Sequence, residues 1–224
     1  MTRVIVGMDE SRGAAQALKW AVGEGAGRDW HIRAVHAWSY VDQSQLKVTH
    51  GFDPDDNAEA ARKILGEAVE HAVATEAAES IELEVVCDLA PSALVERSTE
   101  ADLLVVGSRG MGGFLSLLVG SVSDQCLRHA SCPVAVVRPG IEPARHVRQR
   151  IVVGVDGSPT AQRALRWALD MARPGHGEVE VVHTWQPMVA AGPLTPAAAF
   201  DPELWNDAAN NMYRHTAPVG ASGR

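Results

Sequence analysis

The sequence predicts an α/β protein with an open, mostly parallel five-stranded sheet, helices on both faces and a partial second copy of the same fold. Two observations support this prediction. Short β-branched runs alternate with longer helical patterns along residues 3–137, as in sheets whose strands are joined by helical crossovers. The opening run Val4-Ile-Val-Gly-Met-Asp-Glu-Ser11 then recurs as Ile151-Val-Val-Gly-Val-Asp-Gly-Ser158.

The first copy contains all five strands. A β-branched run after the N-terminus reads as a buried strand, and Ser11 can N-cap the helix that follows, in which Leu18 and Ala21 lie at helical spacing. A stretch rich in Ala, Glu and Lys predicts one long helix in the middle of this copy. The predicted strands are 3–8, 32–38, 81–86, 103–106 and 133–137, and the predicted helices are 13–26, 56–78, 92–100 and 121–130.

The second copy is shorter. The offset that pairs Gly7 with Gly154 also pairs Trp20 with Trp167 and His36 with His183, so its first strand, first helix and second strand are recognisable. A further helix is predicted near 202–213. No residues correspond to 66–138, so strands three to five and any glycine loop are missing. The predicted domains are 1–139, a linker at 140–150 and a truncated copy at 151–224. Residues 186–224 are expected to be poorly ordered, because half a sheet buries too little apolar area.

The bulk composition narrows the class of protein. A hydrophobic fraction of 46% is enough for a packed core, whereas a formal net charge of −8 argues against a surface that coats nucleic acid. No apolar segment approaches the roughly 20 residues of a membrane span. Three cysteines without metal-ligand spacing fit a reduced cytosol. The sequence therefore predicts a cytoplasmic protein that binds neither nucleic acid nor membrane.

The run Gly107-Ser-Arg-Gly-Met-Gly-Gly113 follows strand four directly. In an open parallel sheet, ligands lie beyond the carboxyl ends of the strands, and glycines there let the backbone approach a phosphate. Gly120-Ser121 then opens a helix, whose free N–H groups and dipole favour an anion. The glycines alone fit a flexible turn with an N-cap equally well. The run is not a P-loop, because no Lys follows the second glycine.

The full spacing, Gly107-x-x-Gly110, nine residues and then Gly120-Ser121, resembles the ATP-binding motif of the universal stress protein family, most closely its tandem actinobacterial type. Asp9 and Cys132-Pro-Val match that family too, whereas Asp88 stands where members often have glycine. The resemblance implies that Asp9 touches the nucleoside and that the main chain of Ala37 meets adenine. It also implies that the two glycine segments hold the ribose and phosphates, with Ser121 or Ser123 near any Mg²⁺. The expected ligand-binding residues are Asp9, Ala37, Gly107, Arg109, Gly110, Gly120, Ser121, Val122 and Ser123.

Other conspicuous side chains are assigned structural roles. The two histidines of the repeat, His36 and His183, lie in predicted strands and are expected to be satisfied within the fold. Both tryptophans of the repeat are expected in the core, and Cys126 and Cys132 as small apolar fillers. No nucleophile–base pair and no metal cluster stands out, so no catalytic and no metal-ligating residue is predicted.

These observations predict an ATP-binding regulator of the stress response or dormancy, with at most weak ATP hydrolysis. The alternatives are a slow Mg²⁺-dependent ATPase or autophosphorylating protein, and an interaction module that binds no nucleotide. The resemblance implies that domains pair through the last strand, so an open apolar edge at 133–138 predicts a homodimer or a chain that is unstable alone.

Overall fold

The computed structural model describes residues 1–39, 54–110, 120–140, 150–172 and 177–184. The chain divides into two compact units, Met1–Pro143 and Ala144–Arg224. Within the described residues, no helix is long and apolar enough to cross a membrane. The predicted helix near 202–213 and the tail 186–224 lie outside the described residues.

The first unit is a five-stranded parallel sheet in the order β3-β2-β1-β4-β5, which confirms the predicted fold class. The order reverses between β1 and β4, where consecutive crossovers leave in opposite directions. Its strands are β1 (Thr2–Gly7), β2 (Trp30–Trp38), β3 (Glu82–Cys87), β4 (Leu103–Gly107) and β5 (Val134–Val137). Its helices are α1 (Arg12–Gly25), α2 (Pro54–Ala72), α3 (Thr75–Ala78), α4 (Ala90–Arg97) and α5 (Ser121–His129).

The sheet is buried on both faces, which explains why β1 and β4 read as continuous apolar runs rather than alternating ones. Ile5 belongs to a cluster that includes Leu94 of α4 and Cys126 of α5. Val4 and Val6 alternate with Ile5 along the strand and are equally buried, so they point to the opposite face, against which α1 packs. A helix layer therefore covers each side of the sheet centre.

The predicted long helix over 56–78 is wrong in one respect. The structure contains α2 and the single turn α3, separated at Ala74, whose backbone is extended with φ −66° and ψ 152°. The buried face of α2 runs through Leu65 and Val69 to Ala72, after which the chain turns to enter the edge strand β3. This tertiary path overrides the helix propensity of an Ala- and Glu-rich segment.

The second unit has the three elements predicted for its beginning. They are β6 (Arg150–Val155), α6 (Pro159–Ala172) and β7 (Glu178–His183). The two strands pair in parallel, with Val153 opposite Val181. Val153, Val155 and Ala168 form a small buried cluster between β6 and α6.

Candidate functional site

The carboxyl ends of β1 and β4 lie side by side, because the two strands pair in parallel with Val4 opposite Leu103 and Val6 opposite Val105. The loop 8–11 follows β1 and the loop 108–110 follows β4. The strand order reverses between these two strands, and at such a point an open parallel sheet has its ligand crevice beyond the strand ends. The crevice is the place where a ligand of an open parallel sheet binds.

Asp9 and Ser11 shape the loop after β1. The Ser11 N–H donates to Asp9 Oδ1 at 3.0 Å, and the Ala14 N–H donates to Ser11 Oγ at 3.1 Å. Ser11 is thus the N-cap of α1, as predicted. One carboxylate oxygen of the half-buried Asp9 closes this turn, and the other faces the loop after β4.

That loop meets the Asp9 carboxylate at Gly110. A Cβ atom placed on Gly110 would lie 2.7 Å from Asp9 Oδ2, closer than real Cβ contacts. Any side chain at this position would therefore displace the carboxylate or the loop. The fold brings together two residues that the sequence analysis assigned to the same site from opposite parts of the domain.

Gly13 allows this approach and was missed by the sequence analysis. A Cβ on Gly13 would lie 2.1 Å from the carbonyl oxygen of Arg109, and a Cβ on Gly107 would lie 2.5 Å from the Gly13 carbonyl carbon. The two glycines pack backbone to backbone, so the loop after β4 lies directly on the first turn of α1. The available signal was a glycine inside a first helical turn, where alanine is the better helix former.

The N-terminus of α5 closes the other side of the crevice. The Gly120 N–H donates to the Ser108 carbonyl at 2.7 Å, and a Cβ on Gly120 would lie 3.5 Å from Arg109 Cα. The first helical bond of α5 runs from the Asp124 N–H to the Gly120 carbonyl. The N–H groups of residues 121–123 therefore have no acceptor within the helix. Both predicted glycine segments meet here, whereas residues 111–119 between them lie outside the described residues.

The side chains of this helix turn differ in their availability. Ser121 is exposed, and Val122 is half-buried against the core cluster. Ser123 is 2% exposed, and its hydroxyl donates to the Gly120 carbonyl at 3.0 Å. The Ser123 hydroxyl is thus engaged at the start of the helix, whereas the Ser121 hydroxyl is accessible to a ligand.

Ala37 lies near the carboxyl end of β2, next to β1, and is paired with Val86 of β3. It shares the sheet edge of the crevice without a recorded contact to the glycine segments. At the same edge, Asp88 accepts a hydrogen bond from the Leu89 N–H at 2.6 Å. The pKa of Asp88 is lowered mainly by a hydrogen bond from the Ser92 side chain and next by the one from the Leu89 N–H. Asp88 thus links the turn before α4 to Ser92 in the first turn of that helix.

The remaining residues singled out in the sequence have structural environments. His36 Nδ1 lies 3.0 Å from the Met8 carbonyl oxygen, which confirms the prediction that this imidazole is hydrogen-bonded within the fold. Cys126 is fully buried, and burial raises the pKa of its thiol to about 11, as expected of an apolar filler. Trp20 is only half-buried, with its ring 6.4 Å from that of Trp30, so the core prediction holds only in part. Among the described residues, no group of three or more His, Cys, Asp or Glu side chains is arranged to hold a metal.

The sheet order and the glycine segments define a doubly wound α/β protein with a candidate ligand site at the switch point between β1 and β4. The chain belongs to the universal stress protein family, whose model matches residues 1–138 and 148–218. Membership supports a general role in the stress response.

A curated relative agrees with this assignment, and solved universal stress proteins are similar to the chain. A universal stress protein of Mycobacterium tuberculosis is 32% identical over 189 residues, covering 81% of this chain and 63% of the relative. The chain thus spans somewhat less than two thirds of that relative's length. A universal stress protein from Archaeoglobus fulgidus shares the fold, with a TM-score of 0.60 at 22% identity over 82% of this chain and 67% of that one. A universal stress protein solved in complex with cAMP aligns with a TM-score of 0.43 at 27% identity, over 61% of this chain and 96% of that one.

Proposed function

We propose that this chain is an ATP-binding regulator of the stress response, and that its first unit holds one ATP in the crevice between β1 and β4. The observation that carries the proposal is the convergence of three segments. The Asp9 carboxylate lies against Gly110, and Gly120 lies against Arg109. An acidic group, a glycine loop and a helix N-terminus are thus adjacent at one edge of the sheet.

Each segment suits a different part of the nucleotide. A carboxylate accepts hydrogen bonds from ribose hydroxyls, which assigns Asp9 to the nucleoside. The main chain near Ala37, farther along the same sheet edge, is assigned to adenine. Gly107 and Gly110 permit the backbone to approach the ribose and the phosphates without a side chain in the way.

The phosphates are assigned to the start of α5. The N–H groups of Ser121, Val122 and Ser123 lack helical acceptors, and the helix dipole favours an anion at this end. Arg109 adds a cation suited to phosphate oxygens. The exposed Ser121 hydroxyl is the side-chain group that fits Mg²⁺. Because Mg²⁺ keeps several waters and binds through substrate phosphates, the ion needs few protein ligands here.

The arrangement favours binding over turnover. Asp9 is the carboxylate at the crevice, and its Oδ1 already accepts the Ser11 N–H. That hydrogen bond ties the Asp9 carboxylate to its own turn rather than to an attacking water. ATP occupancy, rather than a reaction product, would then be the signal that other molecules read. Slow Mg²⁺-dependent hydrolysis or autophosphorylation on Ser121 is the second candidate, because phosphoryl transfer asks little of a protein beyond positioning.

The location and partners of the chain also belong to this proposal. We place the protein in the cytoplasm and expect no nucleic-acid partner, given the formal net charge of −8. We further propose that two chains pair through β5, which lies at an edge of the five-stranded sheet.

The test is isothermal titration of the chain with ATP. The parent is expected to bind one ATP, and a Gly110→Val plus Gly120→Val double variant is expected to bind at least about tenfold more weakly, because both side chains enter the cradle. The matched control is Gly66→Ala plus Gly154→Val. A Cβ atom on Gly66 would lie 4.0 Å from a Leu83 side-chain carbon, and a Cβ atom on Gly154 would have no neighbour within 4 Å. It should bind ATP like the parent.

Parent protein that releases no heat with ATP would overturn the proposal in favour of an interaction module. A phosphate-release assay with Mg²⁺ on the same samples then separates the two remaining candidates. Binding without released phosphate and without labelled protein would exclude the ATPase and autophosphorylation alternatives.

A further inference from the structure

The peptide group of Met8 is held at the point where β1 leaves the sheet. The β1–β2 ladder ends with Gly7 opposite Val35, and the Met8 N–H still donates to the Val35 carbonyl at 2.8 Å. The Met8 carbonyl lies beyond the ladder, while the residue is only 5% exposed. A carbonyl in such a place needs a donor from outside the ladder.

His36 supplies that donor. Its Nδ1 atom lies 3.0 Å from the Met8 carbonyl oxygen. Since a carbonyl oxygen only accepts, Nδ1 carries the proton in this bond. Val35 and His36, consecutive residues of β2, thus hold the N–H and the C=O of one residue. The backbone of Asp9 begins immediately after this clamped peptide.

We infer that His36 is a positioning residue of the nucleotide site. By fixing the Met8 carbonyl, it sets the backbone from which the Asp9 side chain reaches both the Ser11 N–H at 3.0 Å and the edge of Gly110. His36 does not itself touch the ligand. The inference rests on the proposed ATP site, because the carboxylate that it orients is the proposed nucleoside contact.

The second unit contains the same three hydrogen bonds. His183 Nδ1 lies 2.7 Å from the Val155 carbonyl, the Ser158 N–H donates to Asp156 Oδ1 at 2.9 Å, and the Ala161 N–H donates to Ser158 Oγ at 3.1 Å. The described residues of this unit include no counterpart of β4 or of its loop. These hydrogen bonds therefore form without a glycine loop beside them, and the second unit provides an internal control.

Three variants of the full chain test the inference: His36→Phe, which removes the donor, His36→Asn, whose amide can replace it, and His183→Phe. The first readout is the ¹⁵N NMR resonance of the Ser11 amide without ATP, which reports the bond to Asp9. The second is ATP affinity by titration calorimetry. His36→Phe should shift the Ser11 resonance and weaken ATP binding about tenfold, the scale of one lost hydrogen bond. His36→Asn should restore both, and His183→Phe should leave both unchanged.

A measurement on the parent protects the test against a variant that fails to fold. Imidazole ¹⁵N spectra report which nitrogen of His36 carries the proton, and an unprotonated Nδ1 would overturn the inference. An unchanged Ser11 resonance in a folded His36→Phe chain would overturn it too, as would an equal loss of ATP affinity in His183→Phe. If the parent bound no ATP, the proposed function would fail, and the Ser11 and imidazole resonances would still decide whether His36 positions Asp9.

Discussion

Gly107 sets how closely the two sides of the crevice approach. A Cβ atom on this residue would lie 2.5 Å from the Gly13 carbonyl carbon and 3.0 Å from the Ala14 nitrogen. These neighbours are backbone atoms of α1, so no side-chain rotation can relieve the contact. We expect Gly107→Ala to lower the free energy of unfolding of the first unit by about 1–3 kcal/mol, the usual range for overpacking, and to weaken ATP binding. Urea denaturation followed by far-UV circular dichroism measures the first effect.

Gly66→Ala is the control for that substitution. Its Cβ would lie 4.0 Å from a side-chain carbon of Leu83, an ordinary contact, and alanine is the better helix former by about 1 kcal/mol. The control should be as stable as the parent or more so. Equal stability of Gly107→Ala and Gly66→Ala would contradict the backbone contact between the loop and α1.

At this scale the sequence predicted which residues come together better than the contacts they make. Asp9, Gly110 and Gly120 were assigned from the family resemblance, and the structure places Gly110 against Asp9 and Gly120 against Arg109. The importance of Gly13 and the engagement of the Ser123 hydroxyl were not predicted. The role of Gly13 depends on contacts across the fold, which a linear spacing does not contain.

At the scale of elements, β2, β3 and α4 share a network of charged side chains. Arg33 Nε lies 3.1 Å from Glu82, and Arg97 Nε of α4 lies 3.0 Å from Glu84. A hydrogen bond with His31, together with the hydrogen bond and the charge of Arg33, lowers the pKa of Glu82. Stability from a carboxyl with a lowered pKa is present above its ordinary pKa of 4.5 and is lost as the pH falls below that value.

Glu82→Gln tests this network. At pH 6 the free energy of unfolding of the parent should exceed that of the variant. The difference should be less than about 1 kcal/mol, because the Arg33–Glu82 pair is partly exposed, and it should vanish near pH 3. Urea denaturation across this range, repeated in 1 M NaCl, measures it. A difference that grew toward pH 3 would have the wrong sign. Glu59→Gln on α2, an exposed carboxyl for which the structure records no ion pair, is the matched control.

The helix boundaries show which elements local patterns determine. The start of α1 was predicted because Ser11 can cap a helix through its own hydroxyl, a contact between residues three apart. The end of α2 was not predicted, because alanine at position 74 carries no stop signal and the sheet edge imposes the turn.

At the scale of the whole molecule, β5 offers an edge for pairing. The carbonyls of Pro133 and Val137 accept hydrogen bonds from Leu104 and Ser108, at the two ends of β4. Since the backbone groups of successive residues in a strand point alternately to its two sides, Val136 directs its N–H and C=O away from β4. We expect the parent to sediment as a dimer. Val136→Pro should sediment as a monomer, because it removes an outward donor while sparing the bonds to β4.

Val136→Thr keeps the N–H and the β-branched shape, so it should remain a dimer. Circular dichroism of the proline variant must match the parent, which shows that the monomer is folded. A parent that sediments as a monomer, or a proline variant of the same mass as the parent, would contradict pairing through β5.

The sequence by itself determined the fold class, the duplication and the two glycine segments, because strand runs, helix periodicity and motif spacing are local properties of the chain. Only the tertiary structure decided how the site is built. Parallel pairing of β1 with β4 brings Asp9 to Gly110, and the packing of α1 on that strand gives Gly13 its role. The pairing of β1 with β2 leaves the Met8 carbonyl to His36. These contacts join residues far apart in sequence, and they exist because the sheet order and the helix layers place them within bonding distance.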